Sequence, residues 1–281
     1  MTLDIRPLSK TFAAEVKGVD ISMLDDAAFA EVRQAWLDHE ILVLRGQNIT
    51  EEDLVAFSRH FGDLEIHVRT EYLSPDNPEI LYVSNIIDGG RRIGILSDHE
   101  VGWHYDQIYL PRPAMGSCLM AAKLPERGGE TSFANMTAAY EQLPAATKQR
   151  IDLLQANQSY AFFNAGNSVP TNKNQTNKTP DVVHPLVRTH PITYRKALYI
   201  CPGMTTHIPG LDETESKELL EELYQWSLRD EFVYTHRWRD GDAVLWDNAC
   251  TMHRREPFDG NSERLMKRTT ILPPPELAVP H

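Results

Sequence analysis

The chain has 281 residues, 28 Lys+Arg against 40 Asp+Glu and a formal charge of -12. Its 41% hydrophobic and 24% charged content is that of a globular protein, which excludes disordered, collagen-like and fibrous chains. The acid excess speaks against a broad surface for nucleic acid.

In chain order, Asp25 to Glu40 reads as a helix, because Phe29, Val32, Trp36 and Leu37 recur at helical spacing behind a paired-Asp start. ILVLR (41–45) follows as a short buried strand. Thr50 with Asp53 forms a capping-box pattern, opening a second helix with Leu54, Phe57 and Phe61 on its apolar face. From Ile80 the pattern changes to short β-rich runs at 80–84, 103–109, 117–122, 159–163, 184–189, 197–201, 232–238, 242–246 and 265–271. Two helical inserts interrupt them, about 137–156, broken at Pro144, and 212–228. The polar stretch 164–181 has no periodicity and reads as a lid or a plain surface loop. Many short strands between turns suggest a sandwich or jelly roll. With no linker and no repeat, one domain over 1–281 is the simplest organisation.

Cys118, Cys201 and Cys250 are odd in number and form no CxxC, so small buried thiols are expected rather than disulfides or a thiolate metal site. Met1 to Lys10 lacks the apolar run of a leader peptide, and nowhere do about 18 apolar residues follow one another. A cytoplasmic protein with no membrane partner is expected.

The most informative local sequence is Trp103-His104-Tyr105-Asp106. On a strand, residues two apart share a face, so the His104 imidazole and the Asp106 carboxylate would point the same way. A third neutral ligand is available in His253, 147 residues after Asp106 and just beyond the apolar run DAVLW. Two imidazoles and one carboxylate on one face of a metal leave the opposite face open, the arrangement of non-haem Fe(II) oxygenases. Zinc would accept the same set, and a lone HxD is a weak signal.

Two arginines add to it. If 263–271 is a strand, Arg264 and Arg268 lie on one face with Met266 between them. Turned inward they imply two anions, because a buried unpaired charge costs about 3–5 kcal/mol. Turned outward they would be answered by Glu256, Asp259 and Glu263. Thr131 offers a hydroxyl just after the Gly128-Gly129 turn.

Taken together, GVDIS (18–22), ILVLRGQNIT (41–50), FSRHFGDLEIH (57–67), WHYD (103–106), PERGGETSFANMTAAYEQLP (125–144), GDAVLWDNACTMHR (241–254) and RLMKRTTI (264–271) resemble the taurine and phenoxyalkanoate dioxygenase (TauD/TfdA) family of Fe(II)/2-oxoglutarate enzymes. The resemblance implies a double-stranded β-helix (jelly-roll) core with flanking helices. It implies that His104, Asp106 and His253 hold Fe(II), that Arg264 and Thr131 bind 2-oxoglutarate, and that Arg268 and His67 meet an anionic substrate. O2 and 2-oxoglutarate would then be consumed, releasing succinate and CO2 as a small organic anion is hydroxylated. A carboxylate such as an aryloxyalkanoate is favoured; a sulfonate such as taurine or an alkyl sulfate is the alternative. From another class, a non-catalytic metal-binding jelly-roll protein is the competing reading. Phe162, Phe163 and Met204 read as pocket lining or core. A homo-oligomer is expected.

Overall fold

The computed structural model describes residues 3–95, 98–165, 179–277 and 280. Two sheets form its centre. The larger runs in the order Asp4–Pro7, Ala14–Lys17, Ile41–Leu44, Ala243–Asp247, Gly116–Lys123, Leu265–Ile271, Leu81–Ser84, and the smaller in the order Val233–His236, Thr131–Asn135, Thr251–Arg255, Val101–His104. Neighbours pair antiparallel except Ala14–Lys17 with Ile41–Leu44. Strands distant in sequence lie side by side, the connectivity of a jelly roll.

Side-chain alternation explains the layering. Ile41, Val43, Val244 and Trp246 point into a core shared with Phe133 of the smaller sheet. Leu42, Leu44, Ala243 and Leu245 point the other way, against Trp36, Leu54 and Phe57. Both faces of these strands are therefore buried, which is why ILVL is an unbroken apolar run. Each fully buried side chain of this size contributes about 1.5–3 kcal/mol.

Trp36 belongs to the helix Asp26–His39, which starts where Asp25 accepts a hydrogen bond from the Ala28 amide. Leu54 and Phe57 belong to Glu51–Arg59, opened by the capping box of Thr50 and Asp53. A third core joins Tyr105 to the helices Met136–Glu141 and Glu213–Ser227. All three cysteines are buried and free.

The structure departs from the sequence reading in several places. Residues 159–163 were expected in a strand, yet the strand Gln155–Gln158 ends first and Tyr160–Ala165 is a helix. Ser159 starts it, its hydroxyl and carbonyl accepting from the amides of Phe162 and Phe163, and this local cap overrides the strand propensity of three aromatics. The run 103–109 stops being a strand at His104. The run 184–189 is split at Leu186, which pairs on one side with Leu154 and on the other with Tyr199. The loop expected at 164–181 lies mostly outside the described residues.

Candidate active site

Three side chains converge at the open end of the smaller sheet. His253 pairs directly across from His104, with ring centroids 4.1 Å apart. On its other side His253 pairs with Phe133, and Trp246 packs against its ring at 4.9 Å. Asp106 is not on the strand, as its spacing from His104 suggested; it lies in the turn that follows, where Gln107 adopts φ 59. That turn is held by Asn248, whose side chain accepts from the Asp106 amide at 2.9 Å and donates to the carbonyls of Asp106 and Ala114 at 2.8 and 3.0 Å. The expected convergence is thus reached by a side-chain clamp rather than by strand alternation.

One ligand atom from each of His104, Asp106 and His253 lies within 4.8 Å of the others. The protonation states suit a cation. Burial holds both imidazoles neutral, pushing His104 down and His253 down to about 3. Burial pushes the Asp106 carboxyl up, but Arg268, then the two histidines and the Ser117 hydroxyl, outweigh it and keep it well below the usual carboxylate range. The His104 Nδ1 is bonded to the Gly102 carbonyl at 2.8 Å, which leaves Nε2 for a ligand, and His253 Nδ1 is buried with no hydrogen-bond partner among the described residues. Neutral nitrogens and an ionised carboxylate facing one another fit a divalent ion.

A second cluster, His190, Asp247 and Cys250, is as compact and fully buried, but its nitrogens are in use. His190 Nδ1 accepts from the amides of Ile192 and Thr193, so Nε2 carries the proton it donates to Asp247 at 2.9 Å. That pair is a structural clasp.

Two cavities meet at His104 and Arg268. The first, about 60 Å³, runs past His253 to Thr131, Arg255 and Arg264. Arg264 is 2% exposed, so the outward reading of this arginine is excluded. Burial, and then the neighbouring Arg255, push its guanidinium down to about 9. Its Nη2 reaches the Gly129 carbonyl at 3.4 Å. Gly129 sits at φ 74, and a Cβ there would come within 3.2 Å of Arg264 Nε, so the glycine turn gives the arginine its room. Thr131 accepts from Trp238 Nε1 at 3.0 Å, which leaves its own O–H to donate into the cavity.

The second cavity, about 100 Å³, is walled by Tyr109, Tyr160, Phe163 and Met204, with His67 and Arg268 joining His104, Asp106 and Gln107 among its polar members. Phe162 instead faces outward at 52% exposure. Arg268 Nη1 donates to Asp106 Oδ1 at 2.9 Å, while its Nε is buried without a hydrogen-bond partner among the described residues. His67 Nδ1 accepts from the Arg69 amide at 3.1 Å, and burial, then Arg268, push His67 down to about 4. Glu65 and Arg255 escaped the sequence reading. Glu65 stands near Arg268, with Oε2 buried and without a hydrogen-bond partner among the described residues. Arg255 could have been found, since it is two residues beyond His253 on the same strand.

The chain as a whole is similar to known proteins. The family model described as taurine catabolism dioxygenase TauD, TfdA family matches residues 4–270. The (S)-phenoxypropionate/alpha-ketoglutarate-dioxygenase of Sphingobium herbicidovorans is 36% identical over 99% of this chain and 98% of its own length. The alpha-ketoglutarate-dependent 2,4-dichlorophenoxyacetate dioxygenase of Cupriavidus pinatubonensis is 34% identical over 97% of this chain and 98% of its own. Among solved structures, AAD-2 in complex with Mn(II) and N-oxalylglycine superposes with a TM-score of 0.82 at 32% identity, covering 98% of both chains. No helix among the described residues is long and apolar enough to cross a membrane.

Proposed function

We infer the substrate and the roles of the site residues from the premise that the chain belongs to the TauD/TfdA family and is an Fe(II)- and 2-oxoglutarate-dependent dioxygenase. The substrate class is a small aryloxyalkanoate, hydroxylated on the carbon next to its ether oxygen, so that the product breaks down and releases a phenol. The observation that carries this is the second cavity: one arginine at its inner end beside the iron ligands, and an aromatic wall of Tyr109, Tyr160 and Phe163. A carboxylate meets Arg268, an aryl ring packs against the aromatic wall, and the carbon between them comes to rest beside the metal. The similarity to phenoxypropionate and 2,4-dichlorophenoxyacetate dioxygenases supports the same class.

Iron, when bound, supplies the activation of O2 coupled to decarboxylation of 2-oxoglutarate to succinate and CO2. The protein supplies placement. His104, Asp106 and His253 hold the ion; Ser117, donating to Asp106 Oδ2 at 2.9 Å, and Asn248 orient the carboxylate. Arg264 and Thr131 hold the distal carboxylate of 2-oxoglutarate in the first cavity. A planar guanidinium meets such a group bidentately, and the surrounding Val83, Leu119 and Trp246 exclude water. Arg268, with His67 beside it, orients the substrate carboxylate in the second cavity. A metal-binding protein without this chemistry would have no use for a buried arginine beside a hydroxyl.

The test is a substrate panel, measuring succinate formation and phenol release with phenoxyacetates and phenoxypropionates, taurine, other sulfonates and alkyl sulfates. Aryloxyalkanoates should give stoichiometric phenol. Turnover confined to sulfonates or sulfates would overturn the substrate assignment.

A further inference from the structure

Besides Arg264 and the Arg268 it shares with the second cavity, the first cavity holds one further cation. Arg255 is 7% exposed and lines the same cavity as Arg264 and Thr131. Its position is fixed by the sheet. On Thr251–Arg255 it shares a face with His253, and across the ladder it pairs directly with Thr131. Paired residues of an antiparallel ladder project to the same side, so the Arg255 side chain leaves the sheet beside the Thr131 hydroxyl. The Arg255 and Arg264 guanidiniums both lie over one ring, that of Phe258, at 5.1 and 5.9 Å from its centroid.

Two buried guanidiniums this close repel one another. A carboxylate placed between them relieves both. Arg255 also donates to the His99 carbonyl, but a guanidinium carries five N–H donors, so that bond and a carboxylate contact are compatible.

We propose that Arg255 is a second cationic contact for the distal carboxylate of 2-oxoglutarate, and that with Arg264 it makes this cavity selective for 2-oxo acids bearing that second carboxylate. The proposal rests on the assignment of the first cavity to 2-oxoglutarate, and it adds a residue whose neighbour in sequence, Arg254, is engaged elsewhere with Glu256 at 2.7 Å.

The experiment is calorimetric titration, without O2, of Mn(II)-loaded protein with 2-oxoglutarate and with 2-oxovalerate, which has the same carbon count but no distal carboxylate. Wild type, Arg255→Met, Arg255→Lys and Arg264→Met are compared, and melting curves confirm that each is folded. Losing a charge-assisted contact weakens binding about tenfold or more. Arg255→Met should therefore weaken 2-oxoglutarate by about that factor, leave 2-oxovalerate within about twofold, and be largely rescued by Arg255→Lys. Unchanged 2-oxoglutarate binding in Arg255→Met overturns the proposal. So does equal weakening of both acids, which would mean that Arg255 only supports the cavity through His99. If Arg264→Met also binds 2-oxoglutarate like wild type, the fault lies with the cavity assignment itself.

Discussion

Arg268 donates to Asp106 Oδ1 at 2.9 Å and lines the second cavity, so a single guanidinium joins the proposed iron ligand to the proposed substrate site. Substrate binding and metal geometry would thereby be coupled through one side chain. Arg268→Ala should raise the substrate KM about tenfold to a hundredfold, the cost of a lost charge-assisted contact, while 2-oxoglutarate turnover without substrate stays within a few-fold. Steady-state kinetics with and without substrate check this. An unaltered KM would place the substrate carboxylate elsewhere.

Asn248 is fully buried, and its three hydrogen bonds clamp the turn that presents Asp106. Asn248→Ala leaves a buried amide and two carbonyls without that partner, at about 1–3 kcal/mol for each unsatisfied group. We expect a lowered denaturation midpoint and a 10–100-fold loss of metal affinity, the usual effect of removing a group that orients a ligand. Mn(II) titration followed by EPR reads the second effect. Wild-type affinity in a folded variant would show that the turn holds itself.

Phe163 forms part of the aromatic wall, its ring 6.1 Å from that of His104. Truncating it to alanine removes stacking surface from an aryl group but nothing from the carboxylate contact. The KM for a phenoxyacetate should rise about tenfold, in keeping with an aromatic contact plus its buried area, and that for an aliphatic ether acid should change little. Equal losses for both would argue that Phe163 shapes the cavity without touching the ring.

Glu40 gives a pH dependence away from the site. It is 3% exposed, its Oε2 has no hydrogen-bond partner among the described residues, and Arg195 Nη1 is 3.4 Å from Oε1. Burial pushes its carboxyl from 4.5 up to about 8, against the pull of Arg195 and with help from Asp247 and Glu141. Between those values the folded protein binds a proton that the unfolded chain releases. Stability from this group is complete below about 4.5 and is lost as pH rises through about 8, at up to roughly one tenfold in the folding constant per pH unit. Glu40→Gln should match wild type at about pH 5 and melt higher at about pH 9. A variant less stable at both pH values would contradict this.

The central layers were legible because their physics is local. ILVL and DAVLW are apolar on both faces because both faces of those strands are covered, and Thr50 with Asp53 announces its helix by a cap that forms as read. The site residues could be named because their types are chemically unusual, but not the means of bringing them together. Asp106 comes to lie beside His104 and His253 through a turn and a clamp from Asn248, far along the chain. Arg255 went unseen because Arg254-Arg255 beside Glu256 reads as surface charge; only the pairing with Thr131 shows which of the two points inward. Ser159 shows the reverse case, a polar residue whose capping role outweighed the aromatic run behind it.

The direct cross-strand pairing of His104 and His253 has a mechanical consequence. The two residues are separated by roughly 150 residues of chain, and a group held jointly by both closes that long loop much as a covalent clip would. An ion that binds the folded chain alone adds stability with its concentration, about 2.7 kcal/mol at a hundred times its dissociation constant. With iron held by His104 and His253 as proposed, the ion would be a rivet of the smaller sheet as well as a reagent, and its loss would loosen the Val101–His104 edge strand before it disturbs the larger sheet.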